Sequence, residues 1–171
     1  MELVDVYDKE KRSTGKRVAR GAALLAGEYF LVSHLCLFNR RGELLIQQRS
    51  PARAHYPGRW DVSAGGFVRS GENSAEAVIR ETREELGLRI SPHELRFILC
   101  QPFSCVLDDF FFLRCELKPS GLRLQPEELS GVSFARAETV LEMIRNGQFV
   151  DYEAGMMRKI FAFEKAMRPS G

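Results

Sequence analysis

Nine residues, Phe30 to Phe38 (FLVSHLCLF), form an apolar run broken only by Ser33 and His34. A strand with one face in water alternates apolar and polar residues. A run that does not alternate suits a strand buried on both faces. Packed layers are then needed on either side of it, and the rest of the chain must supply them. A length of 171 residues is most simply one domain, and 44% apolar with 28% charged residues is the make-up of an ordinary globular core and surface.

The flanking segments read as follows. Leu3 to Tyr7 is a short strand, followed by a polar turn through Ser13-Thr-Gly15 and a return segment, so that residues 1–28 form an N-terminal β-hairpin extension of the single domain 1–171. Asn39 to Gly42 is a turn, and Glu43 to Arg49 reads as the partner strand of a hairpin. Pro51 to Gly58 is a loop. Further strands are expected over Leu95–Gln101, Asp109–Lys118 and Gly131–Phe134, with Asp108-Asp109 in a hairpin turn and with Phe103 and Phe110-Phe-Phe112 in the core. Helices are expected over Ala137–Arg145 and Glu153–Met167. Without a regular βαβ alternation, this order points to an α+β fold or a sandwich on a mixed sheet.

The net charge of +2 is too small to argue for nucleic acid or a charged membrane surface. The basic run Lys9 to Arg17 is interrupted by an acid and turn formers, and reads as a solvated hairpin tip. No stretch approaches the roughly 20 apolar residues of a membrane span, and no basic segment followed by an apolar run opens the chain. The cysteines (Cys36, Cys100, Cys105, Cys115) contain no C-x-x-C pair and read as buried free thiols, which suits a reducing, cytoplasmic setting. His34, His55 and His93 share no metal-ligand spacing and read as structural or surface residues.

One short helix gathers like charges. Asn73 and Glu76 make a capping box, Gly87 supplies a left-handed end, and Ala75, Ile79, Thr82 and Leu86 mark the inward face. Glu81, Glu84 and Glu85 then share another side, at a cost of about 0.2–0.5 kcal/mol per like-charge contact. Glu76–Arg80, Arg80–Glu84 and Glu85–Arg89 pairs would offset part of that cost. Gly65-Gly66 and Gly71 bracket a tight loop just before the helix, and Glu72 adds a fourth carboxylate. Hard divalent cations prefer carboxylate and carbonyl oxygens, so the loop and the acidic face together suit Mg²⁺ or Mn²⁺ held against a diphosphate.

The stretch Gly66-(FVRSG)-Glu72-(NSAEAVI)-Arg80-Glu81-Thr82-Arg83-Glu84-Glu85-Leu86-Gly87-Leu88 resembles the Nudix box, G-x5-E-x7-R-E-U-x-E-E-x-G-U with U apolar. Its one departure is Thr82, where an aliphatic residue is usual. Leu37-Phe38-Asn39, Leu45-Ile-Gln-Gln-Arg49 and Pro57-Gly58-Arg59-Trp60-Asp61 also look like the Nudix domain upstream of its box. The resemblance implies a mixed β-sheet sandwiched between α-helices (α/β/α). It also implies a hydrolase that cleaves the diphosphate bond of a nucleoside diphosphate linked to another moiety, by attack of activated water. By position, Glu81, Glu84 and Glu85 would hold Mg²⁺ (or Mn²⁺), with the Gly65 carbonyl joining them. Glu72 would tie the loop to the helix or reach water on the metal. Glu84, Glu81, Arg80 and Glu128 are the candidate catalytic residues, Arg80 by orienting the carboxylates. Glu128 reads equally as a turn acid. Arg49 can reach a phosphate or an acidic neighbour, and Trp60 can stack on a base or sit in the core.

Within the superfamily, Phe30 to Leu88 most resembles proteins close to isopentenyl diphosphate isomerase. The resemblance sets Ala64 against the isomerase's cysteine, Gly66 against a ligand histidine and Phe30 against another, so proton transfer across an alkene is disfavoured. A third reading is a non-catalytic nucleotide-binding module, which the complete set of box carboxylates argues against. The expected partner is a small-molecule diphosphate, nucleotide-linked, with no nucleic acid and no membrane; a homodimer is compatible with the chain.

Overall fold

The computed structural model describes residues 2–168. Its strands are β1 (Leu3–Tyr7), β2 (Ser13–Ala19), β3 (Phe30–Phe38), β4 (Leu44–Arg49), β5 (Trp60–Asp61), β6 (Ala64–Phe67), β7 (Arg96–Phe103), β8 (Val106–Arg114) and β9 (Leu129–Ala135). Helix α1 (Ser74–Leu86) falls between β6 and β7, and α2 (Ala137–Arg145) and α3 (Ala154–Ala166) close the order.

β3 is the centre. It runs parallel to β8 along its whole length, from Phe30↔Val106 to Phe38↔Arg114, and antiparallel to β6. β7 turns back into β8 and pairs with it antiparallel. One parallel pair among antiparallel ones makes the sheet mixed. Both faces are covered, and the side-chain alternation of the strands sorts the two layers. Cys36 and Phe38 pack with Phe110 and Phe112 against Val140 of α2 and Met157 and Ile160 of α3. Leu35 and Leu37 pack with Phe111 and Leu113 against Val78 and Leu86 of α1. The run without alternation is therefore the doubly buried strand of an α/β/α sandwich.

Several local expectations are corrected. Ser13–Gly15 lie inside β2, and the tip is Asp8–Arg12. There the Asp8 carboxylate accepts from the Glu10 and Arg12 amides and fixes the turn earlier than the glycine does. β4 meets β3 only at Phe38↔Leu44; it pairs instead with β9 and β5, so the two strands of the expected hairpin diverge. Asp108 and Asp109 are buried inside β8, and Ser104-Cys105 make the turn. Turn propensity loses there because both acids find partners: Asp108 sits 2.8 Å from His34 Nε2, while Asp109 accepts from Ser74 and pairs with Lys11. Phe103 is exposed at the hairpin end, whereas Phe110, Phe111 and Phe112 are core. All four thiols are free, but only Cys36 is buried; Cys105 is exposed. His34 is buried, and His55 and His93 are exposed.

The β1–β2 hairpin is fastened to the body. Val4 and Val6 are buried, Tyr7 bridges Tyr29, and the Ser70 amide and hydroxyl bind the Leu3 carbonyl and Asp5 carboxylate. This lays the hairpin against the loop that precedes α1. No helix among the described residues is long and apolar enough to cross a membrane.

Candidate active site

Helix α1 starts and stops where its sequence dictates. Asn73 Oδ1 accepts from the Ala75 and Glu76 amides, at 3.0 Å each, and Glu76 Oε2 accepts from the Asn73 amide at 2.8 Å. Gly87 closes the helix with φ +67°, a conformation that costs glycine little. Thr82 sits at the aliphatic position fully buried, with its hydroxyl donated to the Val78 carbonyl at 2.6 Å, so the polar atom is satisfied within the helix. The buried stripe is Ser74, Ala77, Val78, Thr82, Glu85 and Leu86; Ala75 and Ile79 stand at its edge.

Glu85 thus departs from expectation. It belongs to the packed face, 5% exposed, and accepts from the Gly65 amide at 3.1 Å. Burial, with Glu81 beside it, pushes its carboxyl well above the usual carboxylate range. Glu81 is also raised by burial, against the pull of Arg80. The expected Glu76–Arg80 and Glu85–Arg89 pairs are absent among the described residues, because Glu76 caps the helix and Glu85 turns inward.

Arg80 is the hub. Its guanidinium donates to Glu72 twice (2.7 and 2.9 Å), to the Phe67 carbonyl at 3.0 Å, to Glu81 at 2.6 Å and to Glu84 at 3.4 Å. That bidentate grip holds Glu72 below its usual range. Of the two readings of Glu72, its contacts match the tie between loop and helix.

Beside this hub lies a cavity of about 230 Å³. Glu81, Glu84, Glu85 and Glu128 line it together with Gly65 and Gly66. A Cβ on Gly66 would stand 2.3 Å from Glu81 Oε1, so the carboxylate approaches the backbone through the space the glycine leaves. Arg80 and Glu72 stand behind the wall. Arg49 and Trp60 do not line the cavity: Arg49 pairs with buried Asp61 at 3.0 Å and donates to the His55 carbonyl, and Trp60 packs on the core beneath α2 and α3. The remaining wall comes from residues that no local pattern marked. These are Glu2 and Arg20 of the N-terminal hairpin, Arg53, Arg69 and Gln125. Glu2 bridges Arg20 and Arg69, and Arg53 pairs with Glu128.

The donors facing the cavity are hard oxygens, the kind Mg²⁺ and Mn²⁺ select. Their side chains are not gathered into a ready coordination sphere: among the described residues no three His, Cys, Asp or Glu side chains are grouped around one point. Arg80 and Arg53 draw Glu81, Glu84 and Glu128 toward themselves instead. The donor chemistry fits a hard cation.

A mixed sheet between helices, with a glycine loop and a helix presenting acids to a shared cavity, defines the class. The chain belongs to the Nudix family: the NUDIX domain profile matches residues 30–154. An uncharacterized Nudix hydrolase of Listeria innocua is 37% identical over 152 residues, 89% of this chain and 90% of that protein. The crystal structure of DR0079 from Deinococcus radiodurans superposes with a TM-score of 0.77 at 27% identity, covering 92% of this chain and 98% of that one. An isopentenyl-diphosphate Delta-isomerase of Escherichia coli is 33% identical over 113 residues, 63% of this chain and 62% of the isomerase. This protein is a Nudix hydrolase.

Ala64 is fully buried in the core under α1, whereas Gly65 reaches the cavity. A Cβ at Gly65 would lie 2.6 Å from His34 Nδ1 and 2.9 Å from the Ser33 carbonyl, so the position admits no side chain without displacement. No cysteine lines the cavity.

Proposed function

We propose that this Nudix hydrolase cleaves the diphosphate bond of a small molecule in which a nucleoside diphosphate is linked to another moiety, with Mg²⁺ or Mn²⁺ held by Glu81, Glu84, Glu85 and the Gly65 carbonyl. The observation that carries the reading is Glu85. A carboxyl kept 5% exposed, beside Glu81 and with one backbone amide as its partner, is costly to ionise until positive charge arrives at that point. When bound, such a cation neutralises carboxylate and phosphate charge and makes water acidic enough to serve as nucleophile near neutral pH.

The chain's own groups supply the rest. Arg80 positions Glu81 and Glu84 through one guanidinium and locks the loop by Glu72. Glu84, at the exposed rim, and Glu128, which also lines the cavity, are the groups able to accept the proton of the attacking water. Arg69 and Arg20 present donors to a phosphate on the side of the cavity formed by the hairpin.

The test is a panel of nucleotide-linked diphosphates with Mg²⁺ or Mn²⁺, scored for released phosphate and nucleoside monophosphate, beside Glu84→Gln and Glu85→Gln. Cleavage by the wild type and its loss in both variants is expected. Absence of cleavage, or variants as active as wild type, overturns the reading. Turnover of isopentenyl diphosphate without hydrolysis would favour the isomerase, which the likeness over 113 residues keeps as the second reading. Nucleotide binding without turnover would favour a binding module.

A further inference from the structure

A second concavity, of about 460 Å³, adjoins the first and shares two of its walls, Glu84 and Gln125. Its cationic lining is Arg83, Arg89 and Arg123. The two arginine sets differ in what neutralises them. Arg20, Arg53 and Arg69 in the carboxylate cavity each have a glutamate partner within 4 Å. Arg83, Arg89 and Arg123 are exposed, and none of them has an ion-pair or side-chain hydrogen-bond partner among the described residues.

The fold builds this grouping. The Arg123 amide donates to the Leu86 carbonyl at 3.0 Å and the Gln125 amide to the Glu85 carbonyl at 3.0 Å, so the segment is strapped across the end of α1. A Cβ on Gly87 would stand 2.8 Å from Arg123 Cβ; the glycine allows the strap to lie this close. Three guanidiniums thereby line one groove, with Glu84 as its one acidic wall and the carbonyl end of the helix beside them. Arginine forks match phosphate oxygens two at a time.

We infer that this groove receives the anionic continuation of the substrate, and that the favoured substrates are small molecules whose phosphate chain extends beyond the scissile diphosphate. The inference rests on the proposed hydrolysis for the placement of the scissile bond, and on the shared walls Glu84 and Gln125 for the direction of the chain. Arg83, Arg89 and Arg123 are binding and specificity residues in this scheme, outside the reacting atoms.

Two measurements on the full chain test it. The first compares a dinucleoside diphosphate with the dinucleoside tetraphosphate of the same nucleoside, in wild type and in Arg83→Gln/Arg89→Gln. KM for the longer substrate should rise about ten-fold or more with kcat nearly unchanged, while KM for the shorter one moves less than about two-fold. Equal effects on both substrates, or none, overturn the proposal. The second is calorimetric binding of inorganic tripolyphosphate without added metal. Wild type should bind and the double variant should bind about ten-fold more weakly. Failure of wild type to bind, or equal binding by the variant, overturns the groove whatever the enzyme assay gives. If wild type cleaves no diphosphate, the hydrolytic reading falls while the calorimetry still decides the groove. Arg123→Gln, with its melting temperature recorded, separates binding from support of the helix end: support alone lowers the melting temperature and leaves tripolyphosphate affinity as it was, which also counts against the proposal.

Discussion

Replacing Arg80 by alanine removes five hydrogen bonds at once, two of them to Glu72 and one to the Phe67 carbonyl. The Arg80 side chain is 12% exposed, Glu81 15% and Glu72 23%, so the acids left behind are only partly solvated. Breaking a buried pair costs about 3–5 kcal/mol, and the partial exposure of Glu72 lowers this to about 2–4 kcal/mol. For a domain of this size that is a fall in melting temperature of roughly 5–15 °C. Arg80→Lys keeps the charge and loses the fork, and should cost about 1–2 kcal/mol. The loss has a pH signature. Arg80 depresses the Glu72 carboxyl below its ordinary 4.5, so the stabilisation is present above that pH and fades as the pH falls through the lower folded value. The stability gap between wild type and Glu72→Gln, read by urea unfolding from pH 7 downward, should therefore shrink below pH 4.5. In a double-mutant cycle, Arg80→Ala should cost about 1–2 kcal/mol less in the Glu72→Gln background. A cost under about 1 kcal/mol for Arg80→Ala, with no pH-dependent gap, would refute the assignment of Arg80 as the tie between loop and helix.

Gly66→Ala puts a methyl group where Glu81 now reaches; because the neighbour is the end of a flexible side chain, hydrolysis should fall about ten-fold while the melting temperature moves only a few degrees, as a paired activity and melting measurement would reveal. Gly65→Ala meets the Ser33 backbone carbonyl and the His34 ring, so it should lower the melting temperature more than Gly66→Ala does. Leu35→Ala opens a void in the fully buried core under α1 and should cost about 2–5 kcal/mol by urea unfolding. Adding Mg²⁺ or Mn²⁺ to about a hundred times its dissociation constant should stabilise the fold by about 2.7 kcal/mol, and this gain should be lost in Glu85→Gln; equal gains in both proteins would count against Glu85 as a ligand.

What was legible in the sequence was whatever short-range chemistry decides. β3 came from one unbroken run, α1 from a capping box and a glycine, and the loop-plus-acid constellation from residues within one stretch of chain. The misreadings share a cause: local propensity met a partner from elsewhere. Asp108-Asp109 looked like a turn until His34, Ser74 and Lys11 supplied partners across the sheet. Glu85 reads as part of the acidic face, apart from the packed one, yet the Gly65 amide takes its carboxylate inward. For Arg49 the sequence leaves a phosphate and an acidic neighbour equally open, and it takes Asp61, twelve residues on, to occupy it. Glu2, Arg20, Arg53 and Arg69 carried no local mark, because only the docking of the hairpin and loops brings them to one cavity.

The parallel pairing of β3 with β8 also bears on how the chain reaches this state. β3 has left the ribosome well before Val106 is made, and α1 lies between them in sequence. The acid-bearing helix is thus synthesised before the strand that completes the sheet beneath it. Loop closure across that interval must come before the central contacts can repay it, which places folding among the slower, non-local class. During synthesis, the apolar run Phe30–Phe38 waits without its parallel neighbour. That interval is when the chain is most exposed to wrong pairing, and when a chaperone would have most to shield.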